Sequence, residues 1–461
     1  MTTGEYPLRL QSMKKSTTDP ISTRTLPIRE TLDKVIPIAK SIGVTRIADT
    51  THMDRLGIPN YSTVLPGTED SIWVYNGKGL TKEHALASVI MESIERYCSL
   101  PGSHDRRFIV GSYKELSKKY SVLHPEEVVE ASRFKYRSEM VLDFIQGTEL
   151  FSMAPILVPA PLALYRYGYS TSSLTTNTLP AGNDKSINPF LKTHTIGLAS
   201  GNVLEEAVCH ALCEVIEHDA ASIAELVASA IPYTILRKMI DSFRDKGYEI
   251  MPIPANVYVD DNSVFPDVDI SGLDFYPINC LIDRFEKAGV PLLLKDVTSD
   301  IGIPTFIATS FEWITHDYAF SAYGQGSHPD ARVALIRAIT ELAQTRTTNS
   351  QGSRDDLKKV KYEENNYDQN KKNWKFAESK ERAKFSKINS YVNEDILDDI
   401  NLLLMHIKKS GLKKAIIVDL TNPNIGIPVV RALVPGLENF DETKSVMGRR
   451  AKDHFRRLKR L

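Results

Sequence analysis

One pattern recurs three times along the chain and narrows the folds open to it. Each copy is an amphipathic helical stretch closed by Gly, a strand ending in Asp, a short turn, and Gly-Ile-Pro leading into a second strand. The first copy spans a helix over 29–42, Gly43, a strand to Asp49 and Gly57-Ile58-Pro59. The second has a helix over 278–288, Gly289, a strand from Pro291 to Asp296 and Gly302-Ile303-Pro304, and the third a helix over 394–410, Gly411, a strand from Ala415 to Asp419 and Gly426-Ile427-Pro428. Gly after a helix suits a left-handed C-cap, where a Cβ would clash, and Pro sets the entry of a return strand. The flanks read as hairpins. Three copies predict a pseudo-symmetric α+β core built from one repeated helix-hairpin unit.

Three further helical segments lie between these units and carry a polar line each. Ser88, Glu92 and Glu95 in 81–97, His210, Glu214 and Glu217 in 203–220, and Arg337, Glu341 and Gln344 in 331–346 all stand at i, i+4 and i+7, one face of an α-helix. The intervening residues are strongly apolar, among them Ala85, Val89, Ile90 and Ile94, then Ala207, Val208, Leu212 and Ile216. A helix apolar around most of its circumference is buried, and a buried carboxylate needs a cation. Oxygen-only donors favour magnesium, which commonly bridges carboxylates to nucleotide phosphates. Each helix has a Gly-containing entry, Gly77-Lys78-Gly79, Gly197 to Asn202, and Gly324 to Ser327, whose backbone N–H groups are placed to receive phosphate; Asn202 with Glu205 reads as a capping box. Neither a Walker P-loop nor a Rossmann fingerprint is present, so any ATP site is of another kind.

Composition excludes several classes. Lys+Arg 57 against Asp+Glu 58 leaves a net charge of -1, so no global field draws the chain to nucleic acid or an anionic membrane. The N-terminus lacks a signal-peptide core and no stretch of the sequence reads as a membrane span, which places the protein in the cytoplasm. Cys98, Cys209, Cys213 and Cys280 are too sparse for a disulfide scaffold. Cys209 and Cys213 flank one helical turn, but no second ligand pair at zinc spacing accompanies them, and they read as packing. His84, His194, His328 and His454 have no partner pattern and read as surface or capping residues.

Ser88-x3-Glu92-x2-Glu95-Arg96 resembles the first ATP-binding signature of the YcaO family. Residues 197–220 resemble the family's Gly-rich entry and Glu-x-x-Glu-Arg helix, and 334–346 its third signature, followed by Gln351-Gly-Ser-Arg354-Asp355-Asp356; Val434-Pro435-Gly436-Leu437-Glu438 is similar to a late family segment. The resemblance runs from about Arg24 to Arg450. It implies a YcaO-type fold whose buried helices line an ATP site, with magnesium held by Glu92, Glu95, Glu214, Glu217 and Glu341. It also implies that Arg24, Thr31, Ser88, Glu92, Arg96, Asn202, Glu206 and Arg337 contact nucleotide. The resemblance also places His218 among the nucleotide-binding positions, at the end of the second signature where Arg is usual, although a neutral imidazole cannot make the bidentate phosphate contact of Arg.

On this resemblance the chain divides into an N-terminal extension over 1–23, a catalytic domain over 24–450 containing a charged, solvated insertion at 351–393, and a basic tail over 451–461 in which helical spacing puts Phe455 and Leu458 on one side. The implied chemistry is ATP- and Mg2+-dependent O-phosphorylation of a peptide-backbone amide. A Cys, Ser or Thr side chain of the substrate as nucleophile gives an azoline, and external sulfide gives a thioamide. The end Arg457-Leu458-Lys459-Arg460-Leu461 is not Pro-rich, and the match leaves no room for a peptide-clamp domain before Arg24. Both features point to the thioamide branch, with a TfuA-like partner, a sulfide donor, a homodimeric enzyme, and a glycine of methyl-coenzyme M reductase as substrate. Azoline formation and a non-catalytic nucleotide-binding scaffold are the alternatives.

Overall fold

The computed structural model describes residues 8–19, 21–66, 73–128, 136–165, 167, 194–251, 265–312, 321–352, 373–440 and 447–459. Ser353 to Asp356, Asn365-Asn366, Lys371-Lys372, the side chains of Leu458 and Lys459, and Arg460-Leu461 lie outside them.

The repeated unit folds as its sequence predicts. Helix α1 (Ile28–Ser41) precedes strands β1 (Arg46–Asp49) and β2 (Asn60–Val64); β3 (Val74–Lys78) and α2 (Lys82–Ser99) follow. The chain continues through β4 (Ile109–Ser112), α3 (Tyr113–Leu116), β5 (Val141–Glu149), β6 (Ala154–Pro159), α4 (Ala160–Ala163), β7 (Leu198–Ser200), α5 (Leu204–Glu225), a π-helical turn Leu226–Ala230, and α6 (Ile231–Asp245). After β8 (Asp267–Asp269), the second unit is α7 (Tyr276–Ala288), β9 (Leu293–Asp296) and β10 (Thr305–Phe311), extended by β11 (Ser321–Ser327) and α8 (Ala331–Gln351). Strand β12 (Arg382–Lys384) leads to the third unit, α9 (Ile396–Lys409), β13 (Ile416–Asp419) and β14 (Val429–Leu433), and α10 (Arg449–Lys459) closes the chain.

Gly43, Gly289 and Gly411 end the three helices at φ 98°, 61° and 89°, the left-handed conformation that a Cβ resists. Within each hairpin one triplet makes the same bonds. The Oδ1 of Asp49, Asp296 and Asp419 accepts the N–H of Thr51, Thr298 and Thr421 at 3.0, 3.0 and 2.9 Å. The hydroxyl of each Thr in turn accepts the N–H of the first return-strand residue, Asn60, Thr305 or Val429, at 3.2, 3.1 and 3.1 Å. The register is the same in all three: Asp pairs with Tyr61, Phe306 or Val430, the second residue of the return strand.

The three hairpins lie in three sheets, ordered β1-β2-β3, β11-β10-β9-β8-β12 and β4-β5-β13-β14-β7, with β6 on β5. Each is flanked by an edge strand that runs into one of the carboxylate-bearing helices: β3 into α2, β11 into α8, β7 into α5. In the third case strand and helix come from upstream in the chain, and β7 joins β14 antiparallel. The helices then interlock. Helix α2 packs on β3 and β7, α5 on β7 and β11, and α8 on β11 and β3.

This close approach gives the Gly-rich entries a packing role beside the phosphate-receiving one expected of them. A Cβ on Gly77 would lie 2.3 Å from Val89 N and 2.4 Å from Ala85 O, and one on Gly324 2.1 Å from Leu342 N, so these glycines let strand backbone lie directly on helix backbone. The stretch Leu204–Asp245 is apolar and long enough to cross a bilayer by composition, contrary to the sequence reading, but 56% of its apolar window is buried and it carries Glu205, Glu206, Glu214, Glu217 and Asp219, so it is a core helix.

Two terminal segments tie the sheets together. Leu8, Leu10 and Met13 pack on the core between α5 and α9, and Lys15 Nζ pairs with buried Asp399 at 2.5 Å and donates to Asn393 O at 2.8 Å. At the other end α10 docks through Arg450 on Asp219 and Asp300, with Ala451 and Phe455 buried. Glu438 accepts the N–H groups of Gly448 and Ala451 at the start of that helix, at 2.8 and 3.0 Å. The described half of the charged 351–393 segment is not solvated throughout: Trp374 is buried beside Phe265, Phe385 is buried beside Phe306, and β12 joins β8 in parallel, since the apolar residues scattered in it find two separate hydrophobic clusters.

Candidate ATP and metal site

The polar lines of α2, α5 and α8 converge, and edge strand β11 orients two of them. In an antiparallel ladder alternate N–H groups of an edge strand point away from the sheet. On β11 those of Gln325 and Ser327 are accepted by Glu341 Oε1 at 3.3 Å and Glu217 Oε2 at 2.8 Å, one carboxylate from each flanking helix. Lys78, the last residue of β3, holds Glu341 Oε2. On α2, Arg96 pairs with Glu92 at 3.3 Å and Glu95 at 3.0 Å. Glu214 has no hydrogen-bond or ion-pair partner among the described residues and sits electrostatically between Arg96 and Glu217.

Burial and mutual repulsion push these acids up. Burial, with Glu214 and Glu92 adding to it against Arg96, raises Glu95 well above the usual carboxylate range. Glu214 is pushed to about 8 by burial and Glu217, opposed by Arg96, and Glu217 to about 7 by burial and Glu341. The five carboxylates Glu92, Glu95, Glu214, Glu217 and Glu341 stand against the four cations Arg96, Arg337, Arg431 and Lys78, which leaves one negative charge in excess when all are ionised. A divalent cation bound by oxygen donors answers that imbalance, and the donor set fits magnesium.

A second node lies at the start of α5. Glu206 Oε1 accepts both the N–H and the hydroxyl of Thr25 at 2.6 Å, and its Oε2 accepts Asn202 N–H at 2.8 Å. Asn202 Nδ2 donates to Thr31 Oγ1 at 3.0 Å, while its buried Oδ1 has no hydrogen-bond partner among the described residues. The expected Asn202–Glu205 capping box is therefore absent: Glu205 instead accepts Gln11 N–H at 2.6 Å, because the N-terminal arm crosses the helix start. Arg24 is electrostatically close to Glu206 and Arg337, and burial draws its pKa down. Arg337 bonds His210 and lowers Glu214 and Glu217, linking the two nodes. Although the His210 side chain is exposed, partial desolvation by the surrounding protein and the positive charges of Arg337, Arg24 and Lys78 hold its pKa well below the ordinary imidazole value.

The structure thus gathers Glu92, Glu95, Glu214, Glu217, Glu341, Arg96 and Arg337 into one cluster, with Arg24, Thr31, Asn202 and Glu206 at its flank. Ser88 stands one turn before Glu92, half-buried and without a hydrogen-bond partner among the described residues. His218 turns to the Gln325 side chain at 3.4 Å. Sequence reasoning did not single out Lys78, Thr25 or Arg431. Arg431 is buried on β14 and favours ionised Glu95 and Glu214, and an arginine inside the apolar run Val429 to Leu433 was the available signal.

The cysteines are packing groups as expected: Cys98, Cys209 and Cys213 are buried. Cys209, His328 and Asp399 approach one another within 4.8 Å, but Lys15 already neutralises Asp399 and His328 Nδ1 accepts Asp330 N–H at 3.0 Å. His328 is thus a buried capping residue rather than a surface one.

A family described as YcaO cyclodehydratase, ATP- and Mg2+-binding, matches residues 76–260 and 262–438. The chain belongs to the YcaO family. Members are ATP-dependent, peptide-modifying enzymes, and ATP and Mg2+ are the cofactors of this chain's site. An uncharacterised protein of Methanothermobacter thermautotrophicus is 31% identical over 414 residues, 89% of this chain and 93% of its own. One from the tfuA 3′ region of Rhizobium leguminosarum bv. trifolii is 27% identical over 420 residues, 89% of this chain and 87% of its own. Among solved structures, YcaO from Methanopyrus kandleri bound with AMPPCP and Mg2+ superposes with TM-score 0.67 at 22% identity, over 92% of this chain and 95% of that one. A heterocyclase in complex with substrate and cofactor gives 0.71 at 19% identity, covering 99% of this chain, which spans 57% of the heterocyclase.

Proposed function

We propose that this enzyme phosphorylates a peptide-backbone amide oxygen with ATP and that external sulfide then converts the amide to a thioamide, assisted by a TfuA-like partner. The relative from the tfuA 3′ region, matched along most of both chains, is the observation that carries the thioamide branch. Glu92, Glu95, Glu214, Glu217 and Glu341 hold magnesium, which supplies charge stabilisation for the transferring phosphoryl group. Arg24, Arg96 and Arg337 place fixed positive charge around the phosphates, while Ser88, Thr31 and Asn202 offer neutral polar contacts; Glu206 orients Asn202 and Thr25. The amide oxygen attacks the γ-phosphorus and ADP leaves. Sulfide adds to the carbonyl carbon, the C–O bond breaks with loss of phosphate, and C=S remains. His218, facing Gln325, is not assigned a phosphate contact.

A glycine of methyl-coenzyme M reductase is the substrate proposed for test, and the working form is a cytoplasmic homodimer. The decisive experiment combines the protein, ATP, Mg2+, sulfide and a TfuA-like protein with a peptide containing that glycine, and reads mass. Exchange of oxygen for sulfur supports the proposal. Loss of water from a Cys- or Ser-containing peptide without sulfide replaces it with azoline formation, and absence of ATP turnover with every component present replaces it with a binding scaffold.

A further inference from the structure

Glu341 is held at both oxygens. Oε1 accepts the Gln325 backbone N–H at 3.3 Å, a bond fixed by the edge of a sheet, and Oε2 is held by the Lys78 ammonium. Each oxygen keeps a second lone pair, but Oε1 is tied to the strand, so Oε2, which Lys78 occupies, is the oxygen freer to turn to a metal. Lys78 ends β3, where Gly77 presses the strand backbone onto α2, so its Cα cannot retreat, but its four-carbon side chain is partly exposed and can swing. A monovalent ammonium and a divalent cation do not share one carboxylate oxygen without strong repulsion.

We infer that Lys78 is a catalytic residue that exchanges partners: it holds Glu341 in the nucleotide-free protein, leaves Oε2 when that oxygen is taken by the metal, and then pairs with the phosphoryl group being transferred. The inference rests on the ATP-dependent phosphoryl transfer proposed above. Glu217, which also feels Lys78, is already bound to Ser327 N–H, so a third anion, the phosphate, is the partner that completes the charge balance. An arginine would be less suited to the exchange, because its planar fork grips a carboxylate at both oxygens. Lys78 thus guards against two failures, an uncompensated Glu341 in the empty site and an unneutralised phosphate in the filled one.

The test uses the full chain and the variants Lys78→Met and Lys78→Arg, with two readouts. Mg2+ binding is measured by calorimetry in the presence of a non-hydrolysable ATP analogue, and steady-state ATP consumption is measured with peptide, sulfide and partner. With no ammonium to displace, Lys78→Met binds Mg2+ about fivefold more tightly, yet its kcat falls about a hundredfold; Lys78→Arg recovers part of kcat. A merely structural ion pair predicts weaker Mg2+ binding in Lys78→Met, from a misplaced Glu341, and that result overturns the inference, as does an unchanged kcat. If the wild type binds Mg2+ with the analogue but consumes no ATP, the functional proposal fails, and tighter Mg2+ binding by Lys78→Met would then support only displacement from Glu341 and sink the transfer role.

Discussion

Glu214 stands in the middle of the carboxylate chain with no hydrogen-bond or ion-pair partner among the described residues, and its pKa of about 8, with Glu217 at about 7, makes the metal-free site sensitive to pH. Both values lie above the ordinary carboxylate value. Such groups stabilise the fold while protonated, fully so below that ordinary value, and the contribution is lost as pH rises through 7 and 8. The melting temperature of the metal-free protein therefore falls from the ordinary carboxylate value of 4.5 up to about 8 and levels off above it, and Mg2+ with a nucleotide analogue flattens the fall while binding more tightly as pH rises. Glu214→Gln removes the upper part of the slope; an equal slope in wild type and variant refutes the account. Glu214→Ala and Glu341→Ala each abolish magnesium-dependent ATP consumption with the fold retained, as circular dichroism checks, and wild-type turnover in either sinks the site. These acids were legible in the sequence because helical spacing and apolar neighbours expose a buried polar line. Lys78 was not, because it is a single cation in a strand whose partner is remote in sequence, and Arg431 showed only as an arginine in an apolar run, its partners visible only once the sheets are assembled.

At the scale of elements, the Gly and Pro punctuation of the hairpins could be read directly, but the threonine two residues after each Asp could not, since one hydroxyl among many has no periodic signature. The Thr421 hydroxyl accepts the N–H of buried Val429. Thr421→Val orphans that donor and should cost about 1–3 kcal/mol in urea unfolding, whereas Thr421→Ser keeps the acceptor and most of the stability. The same loss with serine would mean that the methyl group, not the bond, matters. Gly324 sets a sharper limit. Its absent Cβ would meet Leu342 N at 2.1 Å and Ala338 O at 2.5 Å, both helix backbone that has no side-chain rotation to yield. Gly324→Ala must push β11 off α8, destabilising by at least the 1–3 kcal/mol typical of overpacking. Because Gln325 and Ser327 on that strand hold Glu341 and Glu217, it also weakens Mg2+ binding. These glycines thus have a packing role beside the phosphate-receiving one expected of them, which composition could not show because it reveals where backbone is bare, not what lies against it.

Over the whole molecule, the three hairpin sheets are joined by interlocked helices and by an N-terminal arm that sequence reasoning set aside as an extension. The arm has little hydrophobic patterning, and its value lies in bonds to residues nearly the whole chain away. Lys15 is the anchor: it pairs with Asp399, which is fully buried, beside Asn393, whose amide also donates to that carboxylate at 3.0 Å. From there the arm returns through Ser16 N–H on Arg24 O at 2.7 Å, so the anchor fixes the backbone that presents Arg24 and Thr25 to Glu206. Lys15→Met leaves a buried carboxylate without its cation, and removing one partner of a buried pair costs about 3–5 kcal/mol. Burial already raises the pKa of Asp399, with Lys15 opposing, so the variant raises it further. The loss is then largest at alkaline pH and shrinks as Asp399 takes up a proton on acidification. If the arm also positions the nucleotide site, Lys15→Met weakens binding of an ATP analogue at a temperature where the variant remains folded, and Lys15→Met/Asp399→Asn recovers stability before it recovers affinity. Unchanged affinity in a folded Lys15→Met protein would reduce the arm to a structural tie and leave Arg24 positioned by Glu206 alone.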